Sequence, residues 1–412
     1  MTNEPGRQPM ASLAITNAGL ILSGDLTRPV VEAADSLICR DGKIAAIGPR
    51  DALEGDIGAA ERVLDAQGTT VAPGLIDSHC HVVLGDYTPR QKTVDFLDSY
   101  VHGGITSVIS PGEIHAPGRP RDATGLKALA IAARACFLNF RPNGMRVHAG
   151  SVVLEPTLRE ADFAELERAG VWLAKFGFGA YADPLDGEPQ IRWAQWHGIT
   201  VTCHSGGASI PGSKPITPEH LVRLRPDICG HANGGPTALP DGGVDMLVRE
   251  TDLVLQLVQA GNIRSTVRIV NLAREVGALD RIVVGSDTPT GTGVMPLGVV
   301  KTLAEIAALT GLDPAVCWAL ATGNNARVFG LSSGRIAVGA DADLVVMDAP
   351  WGSAGVSAPE ALALGDIPGI SAVIIEGTIR TLRSRNTPMA ARLATVTPPI
   401  ERLSPGHQIG KE

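Results

Sequence analysis

Two histidines close an apolar run, Val71-Ala-Pro-Gly-Leu-Ile-Asp-Ser-His79-Cys-His81. Along an extended strand successive side chains alternate, so His79 and His81 project to one face and can share one metal ion. Further ligand-type side chains end later apolar runs: His204 in Val201-Thr-Cys-His, His231 in Ile228-Cys-Gly-His, and Asp287 in Val284-Gly-Ser-Asp. Lys175 stands inside another, Val171-Trp-Leu-Ala-Lys-Phe-Gly-Phe-Gly. A buried ammonium is costly unless it is neutralised or paired. Carboxylation by CO2 would neutralise it and give a carbamate able to bridge two cations, whereas an ion pair or a stem reaching for solvent would leave it an ordinary lysine. Each of these residues taken singly reads as a core or surface side chain. Together, at the ends of successive strands, they read as a metal centre.

Those positions demand a particular scaffold. Short apolar runs alternate with helical stretches through the middle of the chain, the pattern of a parallel α/β fold. The runs extend over 71–81, 105–111, 146–154, 171–179, 199–204, 227–231, 253–257 and 281–287, the number that a closed (β/α)8 TIM barrel needs. Helical stretches include 93–102, 123–138, 160–169, 218–224, 265–276 and 295–309. Short β-type runs at both ends (13–17, 19–23, 36–40 and 43–48, then 334–339, 342–348 and 371–377) pack most simply as one small β-sandwich. The expected organisation is a sandwich from 1–72 and 333–390, a barrel over 73–332 and a tail over 391–412.

Composition narrows the function classes. The 412 residues carry a net charge of −8 without a basic stripe, which speaks against nucleic acid as a partner. The N-terminus lacks the basic start and apolar run of a signal peptide, and no run is long enough to span a bilayer, so a cytoplasmic protein without membrane contact is expected. Six cysteines without paired spacing are expected to be reduced thiols, mostly buried.

The ordered ligand set and the Pro-Gly-Leu-Ile-Asp-Ser-His-Cys-His opening strongly resemble the amidohydrolase superfamily, over nearly the whole chain. The resemblance implies a metal-bearing (β/α)8 barrel with a split β-sandwich. It implies that His79, His81 and Asp287 bind the more buried of two divalent ions, that His204 and His231 bind the more exposed one, and that carboxylated Lys175 bridges both. Zinc is the first expectation, with ferrous and manganous ions also suited to such N/O ligands. Two cations sharing a water lower its pKa, so a bridging hydroxide is available near neutral pH to attack an amide carbonyl. Asp287 would take the proton and return it to the departing nitrogen.

Longer stretches resemble the branch of that superfamily that opens cyclic enamides: Gly85-Asp-Tyr-Thr-Pro-Arg-Gln-Lys-Thr, His115-Ala-Pro-Gly-Arg-Pro, Ser205-Gly-Gly-Ala-Ser-Ile-Pro-Gly-Ser, His231-Ala-Asn-Gly-Gly-Pro-Thr and Gly365-Asp-Ile-Pro-Gly-Ile-Ser. In that branch a glutamate is the bridging group, so Lys175 is a departure, and hydrolysis of another small amide (an acyl-amino acid, a cyclic imide or hydantoin, an aryl amide) stands as the alternative. A scaffold that has lost its metals is the non-enzymatic alternative, opposed by the retention of all the ligand-type residues. The resemblance also points to a homo-oligomer, possibly a tetramer. Substrate contacts are expected from the rim loops: His115, Arg119, Tyr181, Ser209, Asn233 and Asn262. Arg119 would clamp a substrate carboxylate or brace its own Pro-Gly loop, and Tyr181 would donate to an oxyanion or cap the barrel.

Overall fold

The computed structural model describes residues 12–84, 96–116, 118–209, 212–234, 237–289 and 293–400. Eight strand positions make the barrel. Leu75–Asp77 pairs in parallel with Ile105–Ile109, and that strand with Arg146–His148. Val152–Val153 then leads a parallel series through Leu173–Phe176, Thr200–Cys203, Ile228–Cys229, Val254–Val258 and Ile282–Gly285. These strands are almost wholly buried, as a parallel sheet covered by helices requires. The helices present apolar stripes inward. Ile263–Glu275 buries Ser265, Thr266, Ile269, Val270 and Ala273, the spacing of one helical face, and Asn262 caps its N-terminus.

The third barrel position is two short pieces rather than one run over 146–154. Gly150, at φ +92°, breaks it, so Arg146–His148 serves the second strand and Val152–Val153 the fourth. The eighth strand meets the first only at their C-terminal ends. There Ser78 N–H donates to Val284 O (3.2 Å), Asp287 N–H to His79 O (2.7 Å) and His81 N–H to Thr288 O (2.9 Å). Lower in this seam the fully buried amide of Asn325 donates to Ile76 O (2.5 Å) and Val284 O (2.8 Å) and accepts from Val284 N–H (3.1 Å). The barrel is thus closed by the same residues that carry the candidate ligands.

The first apolar run also divides. Thr70–Pro73 pairs antiparallel with Leu344–Asp348 in the sandwich, and only Leu75–Asp77 enters the barrel. Gly74 makes the change of sheet, and a Cβ there would sit 2.3 Å from Thr106 Cγ2. One sandwich sheet runs Thr395–Thr397, Arg62–Asp65, Leu13–Thr16, Ser36–Arg40, Lys43–Gly48; the other runs Thr378–Leu382, Gly369–Ile375, Leu344–Asp348, Thr70–Pro73, Leu20–Ile21. Both chain ends contribute to each sheet, around a core that includes Ile15, Leu37, Leu64, Val346 and Ile374. The stretch read as a tail from 391 therefore contains an edge strand, because Thr395–Thr397 pairs with Arg62–Asp65. The run over 334–339 is no strand; Gly334 and Gly339 bracket it at φ 80° and 88°.

An ionic seam joins the two parts. Arg146, at the foot of the third barrel position, pairs with buried Asp343, with Asp341 at 3.2 Å and with Glu376 at 3.1 Å. The six cysteines are free, and all but Cys136 are buried. Among the described residues no helix is long and apolar enough to cross a membrane.

Candidate metal centre

The six ligand-type residues converge at one end of the barrel. His79 and His81 follow the first strand, Lys175 lies within the fourth, His204 and His231 follow the fifth and sixth, and Asp287 follows the eighth. Two of them adopt left-handed backbone, His231 at φ 38° and Asp287 at φ 56°.

His79, His81 and Asp287 form one group, with one potential ligand atom from each lying within 4.8 Å of the others. Asp287 Oδ1 faces His81 Nε2 at 2.9 Å and His79 Nε2 at 3.4 Å. His81 Nδ1 is buried and has no hydrogen-bond partner among the described residues. Burial pushes His79 down to about 3, with the nearby Lys175 charge adding to the effect, so the imidazole is neutral and able to ligate. Burial alone would raise the Asp287 carboxyl, but the histidines around it, His79 foremost, hold it well below the usual carboxylate range.

His204 and His231 form the second group. His204 Nδ1 lies 3.1 Å from His231 Nε2, and its Nε2 lies 2.7 Å from Gly207 O. A carbonyl only accepts, so Nε2 carries the proton and Nδ1 is the atom left for ligation. Burial pushes His204 down to about 4 and His231 well below the ordinary histidine value. The ring centroids of His79 and His231 are 5.7 Å apart, which sets the two groups side by side.

Lys175 is 1% exposed, and its Nζ has no hydrogen-bond partner among the described residues. The ammonium lies 5.9 Å from the centroid of Phe178, and a Cβ on Gly230, the residue before His231, would come within 3.4 Å of it. Burial pulls its pKa down to about 8, against a weaker opposing pull from Asp287.

The rim residues separate into two kinds. The exposed His115 ring lies 5.1 Å from His81 and 6.2 Å from Phe178, beside the centre. Ser209 is exposed, and residues 210–211 beyond it lie outside the described residues, as do 85–93, 117 and 235–236 of the quoted motifs. Arg119 is tied down, donating to buried Glu155 Oε1 (3.1 Å) and Phe178 O (3.2 Å). That is the bracing arrangement. Tyr181 packs on Phe176 with ring centroids 5.3 Å apart. Phe176 neighbours Lys175 in the strand and so points to the opposite face, which turns Tyr181 toward the helices. Two of the residues expected at the substrate also make bonds within the fold. Asn233 spends its amide on Val258 O, Val258 N–H and Thr266 Oγ1, and Asn262 is the helix cap.

One residue of the centre is not evident from ligand-type spacing. Gln256, fully buried in the seventh strand, places Oε1 2.6 Å from His79 Nδ1 and 3.3 Å from His231 N. Its signal in the sequence is an amide in the apolar run Leu253-Val-Leu-Gln-Leu-Val.

With this geometry in view, comparison with known proteins gives a consistent result. The profile of the amidohydrolase family matches residues 241–380. The chain is 46% identical over 388 residues to the enamidase of Eubacterium barkeri, covering 94% of this chain and all of that one. The crystal structure of an enamidase superposes with a TM-score of 0.89 over 94% of this chain. The imidazolonepropionase of Streptomyces griseus is 25% identical, across 83% of this chain and 94% of that one. A D-hydantoinase from Thermus sp. shares the fold at 19% identity, with a TM-score of 0.61.

Proposed function

This chain belongs to the amidohydrolase family, and on that footing we propose that it opens a cyclic enamide by hydrolysing the ring amide C–N bond. The observation that carries the reading is the convergence of His79, His81 and Asp287 within 4.8 Å, in a chain similar over 94% of its length to an enamidase.

The residues suit a pair of divalent ions. The donors are imidazoles and a carboxylate, all buried except the partly exposed Asp287, and among the described residues one nitrogen of His81 and the Nζ of Lys175 have no hydrogen-bond partner. His79, His81 and Asp287 would hold one ion, His204 and His231 the other, and Lys175 as a carbamate would bridge them. Zinc is the first candidate, ahead of ferrous or manganous ions. Carbamate formation needs the neutral amine, and a Lys175 pKa lowered to about 8 supplies more of it near neutrality than an exposed lysine has. When bound, such ions acidify a water and polarise a carbonyl.

The chain's own residues then manage protons and orientation. Asp287 Oδ1 is occupied by the two histidines, and its other oxygen takes the proton of the attacking water and delivers it to the ring nitrogen as the C–N bond breaks. His204 is kept in its Nε2–H form by Gly207 O. Glu155 and Arg119 hold the loop that carries His115 against the rim. Ring opening of an enamide leaves an enamine, whose further hydrolysis releases ammonia and an aldehyde. A cytoplasmic homo-oligomer acting on a small-molecule amide completes this reading.

The test is ammonia release, with loss of the enamide ultraviolet band, from 6-oxo-1,4,5,6-tetrahydronicotinate. The enzyme is loaded with zinc, and separately with ferrous or manganous ions, in bicarbonate buffer. Turnover supports the reading. Fully metallated protein that leaves this compound untouched overturns the enamide assignment and directs substrate trials to imides, hydantoins and acyl-amino acids.

A further inference from the structure

We propose that Gln256 is the positioning residue that couples the two halves of the metal centre, fixing the tautomer of His79 and the backbone of His231 with a single amide oxygen. The inference rests on the two-ion reading above. It begins with a hydrogen-bond inventory in which each partner has one permitted role.

The Gln256 side chain has four contacts. Its Nε2 lies 2.9 Å from Ser78 O and 3.1 Å from Ser78 Oγ; its Oε1 lies 2.6 Å from His79 Nδ1 and 3.3 Å from His231 N. Ser78 O can only accept, and the His231 N–H can only donate. Rotating the amide by half a turn would set oxygen against the Ser78 carbonyl and N–H against the His231 N–H. The orientation is therefore decided by groups that are not themselves ambiguous. With Oε1 on His79 Nδ1, that nitrogen must carry the proton, and in the neutral ring the Nε2 lone pair is left facing Asp287.

The same residue restrains the second half of the centre. Besides the side-chain contact to His231 N–H, the main-chain carbonyl of Gln256, which the side-chain variants leave in place, accepts from Ala232 N–H at 2.7 Å. Both bonds hold the turn in which His231 adopts φ 38°, a conformation that is costly for a histidine unless its surroundings impose it. Gln256 is thus bound to a candidate ligand of each ion. Partners of this kind set the ring orientation and donor strength of a ligating histidine, and their loss commonly weakens metal binding by about 10–100-fold.

The experiment compares wild-type protein with Gln256→Leu and Gln256→Glu. The readouts are metal affinity by competition with a chelator, metal content by mass spectrometry, and the His79 tautomer by nitrogen NMR of histidine-labelled, metal-free protein. The wild type should show His79 protonated on Nδ1. Gln256→Leu should lose that single tautomer and bind both ions about 10–100-fold more weakly. Gln256→Glu in its protonated form keeps an acceptor for His79 and a donor for Ser78, and should stay within a few-fold of wild type. A wild type that holds no ion overturns the two-ion reading and this inference with it. A wild type that holds two ions beside an equally tight Gln256→Leu, or a His79 protonated on Nε2, overturns this inference alone. Should Gln256→Leu not fold, Gln256→Glu decides: retained tautomer and affinity support the coupling, and their loss refutes it.

Discussion

Lys175→Met should stabilise the metal-free protein while abolishing metal binding. The substitution keeps the length and apolar body of the side chain and removes only the buried amine. Burial holds the Lys175 pKa at about 8 in the folded chain, against an ordinary value of 10.5. A folded value below the unfolded one means that the unfolded chain binds the extra proton between those pH values, so stability rises with pH across that window. At pH 7 the protonated lysine costs the fold about 3 kcal/mol, and at pH 9.5 about 1 kcal/mol. Metal-free Lys175→Met should therefore exceed metal-free wild type by about 3 kcal/mol at pH 7, the gap narrowing to about 1 kcal/mol at pH 9.5. Equilibrium denaturation of both chelator-treated proteins at the two pH values measures it. On the two-ion reading, adding zinc and bicarbonate should reverse the order, because only the wild type could form the carbamate and gain binding energy from ions held through it. Equal stabilities at pH 7 would refute the claim of an unpaired buried ammonium, and a variant that still holds two ions would refute the bridge.

Three other perturbations bear on separate parts of the argument. Asp287→Asn should lower turnover about 1,000-fold or more, equivalent to about 4 kcal/mol or more of barrier, while some metal stays bound; near-normal turnover measured with the metallated variant would remove Asp287 as the proton carrier. Arg119→Met strips the nearer partner from buried Glu155 and leaves Arg121 at 3.6 Å, so a loss of about 2 kcal/mol is expected on denaturation, partly recovered by adding Glu155→Gln. An unchanged stability with a raised KM would instead make Arg119 a substrate clamp. Arg146→Met leaves Asp343 buried without its main cation, and should cost about 3 kcal/mol; a loss under about 1 kcal/mol would show that the seam between barrel and sandwich does not depend on it.

The legible part of the centre was the part whose chemistry and position coincide. A histidine, lysine or aspartate at the end of an apolar strand is informative because apolar strands otherwise exclude such residues, and five strands repeat the exception. The barrel and the sharing of the sandwich between chain ends follow from the same alternation of runs. Asparagine carries less information. After a strand it serves equally as a ligand contact, a turn residue or a helix cap, and Asn233 and Asn262 make bonds of the last two kinds. Gln256 and Asn325 were opaque for a related reason, since an isolated amide in an apolar segment does not reveal which distant backbone groups it satisfies. The division of the first run at Gly74 was hidden because both halves are equally apolar, and only the Cβ-free approach to Thr106 marks the change of sheet.

The seventh strand gives this distinction a physical meaning. From the fourth strand onward it is the only one without a ligand-type side chain, and it supplies Gln256. A centre built only from ligands at strand ends would hold its geometry by metal binding alone, since His231 and Asp287 occupy left-handed backbone that relaxes when unsupported. Aspartate tolerates that conformation better than most residues, which suits Asp287 to its place as a candidate ligand at the eighth strand. Histidine has a weaker claim to such a tolerance, and the support at His231 is correspondingly denser: Gly234 N–H donates to its carbonyl at 2.6 Å, and Gln256 receives its own N–H and that of Ala232. The candidate ligand with the smallest positive φ is thus held by the strand that supplies no candidate ligand. On the two-ion reading, preorganisation and ligation are divided between different strands, and metal affinity should be tunable from the seventh strand without touching a candidate ligand.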